Sequence, residues 1–154
     1  MSARIQAVET ARKDGVIQAI PMIASETVYK GTPTLIKSAS GHAFSNDGTT
    51  NTLAAGDIFA GISVETVTNS GAAASVSVNV YRKGSFLLTF SDTLTQANLG
   101  DKVYVNNVSD DNVVTVTTNT GNPQITIGSI VEFVSANTAY VSIDNFVGNV
   151  AANA

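Results

Sequence analysis

Polar and β-branched positions alternate without a break between residues 75 and 80. Ser75, Ser77 and Asn79 fall on one face of a pleated strand, and Val76, Val78 and Val80 on the other. Gly84 interrupts the pattern before a second apolar run at 86–90, which predicts a strand, a turn or bulge, and a further strand. Runs of the same kind recur at 27–30, 34–38, 58–67, 102–105, 113–117, 125–133 and 138–143, separated by Gly, Asn, Asp, Ser and Pro. The run at 20–24 is apolar but holds Pro21, which cannot donate to a sheet ladder, so an edge or packed extended segment is expected there. Asn46-Asp47-Gly48 supplies residues that tolerate the left-handed region of a tight reversal.

Residues 93–100 are the one place for a short helical turn, with a hydroxyl residue to cap it and Gly100 to end it. About eight short strands at roughly ten-residue spacing predict an all-β fold, a barrel or a sandwich. Residues 1–19 have no clean period: Ile5, Val8, Arg12 and Ile17 make a poor helical face and Gly15 breaks it, so an extended N-terminal arm is expected. The β domain then runs over 20–146 and a flexible tail over 147–154, with no internal repeat.

Composition sharpens this picture. Only 13% of the 154 residues are charged, about half the usual share for a soluble domain, while 44% are hydrophobic. The surface must therefore be built from Thr, Ser, Asn and Gly, whose neutral groups cost less to desolvate than charges. Such a surface favours docking or oligomerisation. Residues 1–37 hold Arg4, Arg12, Lys13, Lys30 and Lys37 against Glu9, Asp14 and Glu26, a balance of +2, which leaves −6 on the rest. An acidic body repels a phosphate backbone, so nucleic acid is not an expected partner. The basic front suits either an acidic protein surface or plain solvation. No stretch approaches the roughly 20 apolar residues of a membrane-spanning helix, and charges stand where a signal peptide needs an apolar run, so the expectation is an intracellular origin and no membrane partner.

Chemistry has little to work with. There is no cysteine, and His42 is the single histidine, flanked by Gly41 and Ala43 with no ligand-spaced partner. Asp110-Asp111-Asn112 lacks the glycine and spacing of a calcium loop, and reads as a solvated turn. No Gly-x-Ser-x-Gly elbow or phosphate-binding loop occurs. The expectation is a binding scaffold rather than an enzyme, with neither metal nor cofactor. Arg82 and Lys83 form an isolated basic pair before Gly84, which either reaches an acidic partner or keeps a strand edge soluble. Phe86, Phe90, Tyr104, Phe133 and Tyr140 fit strand positions and are expected to pack in the core.

Several segments, taken in order, resemble the small capsid cement (head decoration) proteins of tailed bacteriophages. They are 20–31, with Ile20-Pro21-Met22-Ile23-Ala24; 59–66, with Phe59-Ala60-Gly61-Ile62; 80–86, with Tyr81-Arg82-Lys83-Gly84; 99–105, with Gly100-Asp101-Lys102-Val103-Tyr104; and the closing strands at 128–133 and 139–144. The likeness covers about residues 16–145, and it rests on the order and spacing of motifs that are individually ordinary strand and turn chemistry.

The resemblance implies a compact β-barrel or β-tulip, homotrimers bound to the major capsid protein on the outer surface of the virion head, and stabilisation of the expanded capsid. The protein would be made in the host cytoplasm. No catalytic residues come with it. Ile5, Val8, Ile17, Ile20 and Met22 are then the candidate apolar anchors for capsid or trimer contacts, with Arg82 and Lys83 beside them. The competing expectations are another β-rich virion part, such as a tail, fibre or receptor-binding module, and a small β-barrel hydrolase using His42 with Asp101 or Asp144.

Overall fold

The computed structural model of the chain describes residues 16–45, 52–106, 113–118, 121 and 123–143. The expected turn at 46–48, Asp110, Asp111, Asp144 and the tail at 147–154 lie outside them. The fold is all-β, as the alternation predicts. Its strands are β1 (Ile17–Pro21), β2 (Glu26–Val28), β3 (Pro33–Ile36), β4 (Ala43–Phe44), β5 (Ile58–Ser63), β6 (Val67–Asn69), β7 (Ser77–Tyr81), β8 (Ser85–Phe90), β9 (Lys102–Asn106), β10 (Val113–Val114), β11 (Gln124–Ser135) and β12 (Thr138–Ser142). The strand expected at 58–67 is divided into β5 and β6, and the two-residue β4 is additional. β1 starts at Ile17, three residues inside the segment expected as an arm.

Two five-stranded sheets organise the molecule, in the orders β1-β7-β5-β3-β4 and β10-β8-β12-β11-β9, with β2 and β6 as a separate ribbon. Each sheet curls until its outer strands meet. In the first, Met22 bridges Ala43 and the Ile23 N–H donates to the Ala43 carbonyl at 3.0 Å. In the second, Tyr104 and Thr115 exchange backbone hydrogen bonds of 2.8 and 3.0 Å, which nearly closes a small barrel. β10 pairs with β8 in parallel and the isolated Met22–Ala43 bridge is parallel too, while the other ladders between described strands are antiparallel.

The period-2 pattern decides what goes inside. Leu88 and Phe90 of β8, Val103 and Val105 of β9, Ile125 and Ile127 of β11, and Ala139 and Val141 of β12 are buried in one cluster. Leu35, Phe44, Phe59 and Ile62 of the first sheet join the same cluster and tie the two sheets together. A second cluster holds Ile20, Met22, Val28, Ala43, Ala60, Val78 and Val80, six of them on or beside strands of the first sheet and Val28 on β2. Neighbours such as Ala43 and Phe44, or Phe59 and Ala60, therefore serve different clusters, and this part of the first sheet is a wall buried on both faces.

Polar side chains fasten the connections. Thr95 accepts from the Ala97 N–H at 3.3 Å while Asn98 accepts from the Thr95 N–H at 2.8 Å, a capping box that opens the 3₁₀ turn Gln96–Asn98. Gly100 follows at φ 88°, the glycine expected to end the turn. Asn69, fully buried, donates to the carbonyls of Ile23 and Ala72 at 2.9 and 3.0 Å and accepts from the Gly71 N–H at 3.1 Å. Asn69→Ala removes three hydrogen bonds made from a buried side chain, and a denaturant titration should show a loss of about 1–3 kcal/mol.

Candidate docking face of the second barrel

The outer wall of β8, β12 and β11 is an apolar and hydroxyl surface. Alternation that sends Leu88 and Phe90 inward sends Ser85, Leu87 and Thr89 outward, and the same holds for Thr138, Tyr140 and Ser142 on β12. Leu87 lies directly opposite Tyr140, and Tyr140 lies opposite Glu132. A bulge between Ile130 and Glu132 turns Val131 out beside them, and Val134 follows one turn-proximal step along β11. Leu87 is 52% exposed, and Val131 and Val134 are each 47% exposed.

Glu132 is the one formal charge among residues 85–90, 129–135 and 138–142. Covering the exposed halves of Leu87, Val131 and Val134 would recover roughly 1 kcal/mol apiece. Around them Ser85, Thr89, Ser129, Thr138 and Ser142 offer hydroxyls that can donate or accept, so this wall accepts a partner surface at little desolvation cost.

The residues singled out in the sequence are dispersed. Ile5 and Val8 lie outside the described residues. Ile17 is exposed on β1. Ile20 and Met22, expected as anchors for a partner, instead lie in the second cluster, because the inward face of β1 points them at Val78 and Val80. Arg82 is half-buried and donates from Nη1 to Gln18 Oε1 at 3.0 Å, so part of its fork is held by β1. Lys83 is exposed in the turn between β7 and β8. Of the aromatics, Phe90 is buried, while Phe86, Tyr104, Phe133 and Tyr140 are only partly so.

His42 precedes β4 and its N–H donates to Ser40 Oγ at 3.3 Å. Asp101 precedes β9 on the other sheet and accepts from Asn98 Nδ2 at 2.8 Å. Among the described residues no three His, Cys, Asp or Glu side chains are grouped so as to hold a metal ion, and no helix is long and apolar enough to cross a membrane. Compared with known proteins, the chain matches no family model and no curated sequence.

Proposed function

We propose that this chain is a structural virion protein that binds the outer surface of a bacteriophage head and stabilises the expanded capsid. The observation that carries the reading is the Leu87–Tyr140–Val131 wall: exposed apolar side chains, with Glu132 the one charge among residues 85–90, 129–135 and 138–142, on a framework with extensive cross-strand pairing. The segments that resemble cement proteins support it, since they fall on the end of β1, β2, β5, the β7–β8 turn, β9, β11 and β12, and so reach both sheets and the ribbon. The partner is the major capsid protein, engaged by a homotrimer, with no role for nucleic acid, membrane, cofactor or bond-making chemistry.

The physics is linkage. A protein that binds the assembled shell and not its dissociated subunits stabilises the shell by about 2.7 kcal/mol per site at a hundredfold excess over Kd. Three copies held together add avidity, because the second and third contacts form at high effective concentration. Modest burial at each wall is then sufficient.

The test mixes purified protein with expanded and unexpanded heads and looks for added surface density by electron microscopy. Density on expanded heads alone is expected; none on either, or equal density on both, overturns the reading. Leu87→Glu, on an exposed position that leaves the core intact, should weaken head binding at least tenfold, since it sets a charge into the apolar row beside Glu132.

A further inference from the structure

β1 ends its sheet, and among the described residues only Met22, just past its last residue, meets another strand on its outer side, at Ala43. The Arg82 N–H donates to the Val16 carbonyl at 2.8 Å and the Met22 N–H donates to the Val76 carbonyl at 2.9 Å. In an antiparallel ladder the bonded pairs alternate, so Val16, Gln18, Ile20 and Met22 direct their backbone groups at β7, while Ile17, Ala19 and Pro21 direct theirs away from it. Pro21 sits where its missing N–H would have pointed outward. Ile17 and Ala19 are left with two donors and two acceptors that no described strand receives.

Natural edges are blunted with charge, bulges or proline. β1 reads Ile-Gln-Ala-Ile-Pro, with no charge and no bulge, and proline stands only at its far end. Val16 and Ile17, two of the large exposed apolar side chains, sit at its start.

We infer that β1 pairs with β1 of a second copy of this chain, antiparallel about a two-fold axis at Gln18. In that register Ile17 of each copy faces Ala19 of the other, and the four outward groups of one strand meet the four of its partner in four hydrogen bonds. The match is self-complementary in two ways. A two-fold axis sets every charge against its like, and β1 carries none. On the exposed face the large Ile17 lands beside the small Ala19, so neither side chain is crowded. A short strand pair buries little area, so the association is weak and driven by concentration. It uses a surface separate from the Leu87–Tyr140–Val131 wall and does not depend on the proposed function; alongside a three-fold contact it would link one trimer to the next.

Sedimentation of the full chain at concentrations up to about 1 mM tests it without any head present. Ala19→Pro removes the outward donor and leaves the ladder with β7 intact. At high concentration the wild type is expected to form a species of twice the mass that Ala19→Pro forms, with association roughly thirtyfold weaker in the variant. Ile17→Lys, which brings like charges together across the axis, should act in the same direction and guards against a folding defect in the proline variant. Hydrogen exchange should slow at the Ile17 and Ala19 amides as concentration rises. Equal masses for wild type and both variants, or amides of Ile17 and Ala19 protected equally at all concentrations, overturns the pairing.

Discussion

Gly61→Ala is expected to lower the stability of the fold by about 3–5 kcal/mol, which for a domain of this size is a fall in melting temperature of about 10 °C or more. Gly61 is buried in β5 with φ at 151°, a backbone conformation that L side chains rarely adopt. A Cβ at this position would collide with the Tyr81 carbonyl oxygen and crowd Val80 Cβ at 3.3 Å, and the obstacle is backbone, which cannot swing aside. The register shift between Thr34 and Leu35 lies directly across from Gly61, so here three strands are drawn together at an irregular point. Strain and collision therefore add. Gly31→Ala is the control: its φ is 80° but nothing lies within 4 Å of a new Cβ, so only the conformational cost of about 1–2 kcal/mol should appear. Thermal melts of the two variants separate the terms. If Gly61→Ala melts no lower than Gly31→Ala, β5 and β7 do not approach as closely as the ladder requires.

The first sheet shows where sequence reasoning reaches and where it stops. Val78 and Val80 could be placed inward from alternation alone, because β7 is buried on one face only. Gly84 and Gly100 marked their turns for reasons that act within a few residues. Ala43 and Phe44 could not be recognised as β4: both are buried, each against a different cluster, and two residues make no period. Ile20 and Met22 carried an apolar signal, but composition says only that a side chain seeks cover, and not whether its own core or a partner supplies it. The docking wall was hidden for a related reason. Phe86-Leu87-Leu88 reads as one apolar run, and the outward turn of Leu87 emerges only when β12, some fifty residues later, pairs beside it. Val131 needed the bulge in β11, which no local signal announced.

Asp57→Ala should cost a further 3–5 kcal/mol or so, in a chemical denaturation, through a long-range polar contact that no local pattern reveals. The Asp57 side chain is 1% exposed. Its Oδ1 accepts from the Ser38 N–H at 2.9 Å, and its Oδ2 accepts from the Ala54 N–H at 2.9 Å and from Lys37 Nζ at 3.3 Å. Lys37 Nζ also donates to the Thr52 carbonyl at 2.6 Å and stands 4.2 Å from the centroid of the Phe44 ring. One carboxylate thus fixes the segment that carries Leu53 into the main cluster and delivers the chain to β5.

Alanine at 57 strands two backbone donors and leaves a lysine that is only 26% exposed without its counter-charge. Because the pair is largely shielded from solvent, added salt should change the loss little. Lys37→Met retains the stem over Phe44 and removes the charge, so in the Asp57→Ala background it should recover part of the stability. The two substitutions together then cost less than the sum of each alone. A double variant less stable than Asp57→Ala would mean that Thr52 and Phe44, rather than the carboxylate, hold Lys37 in place.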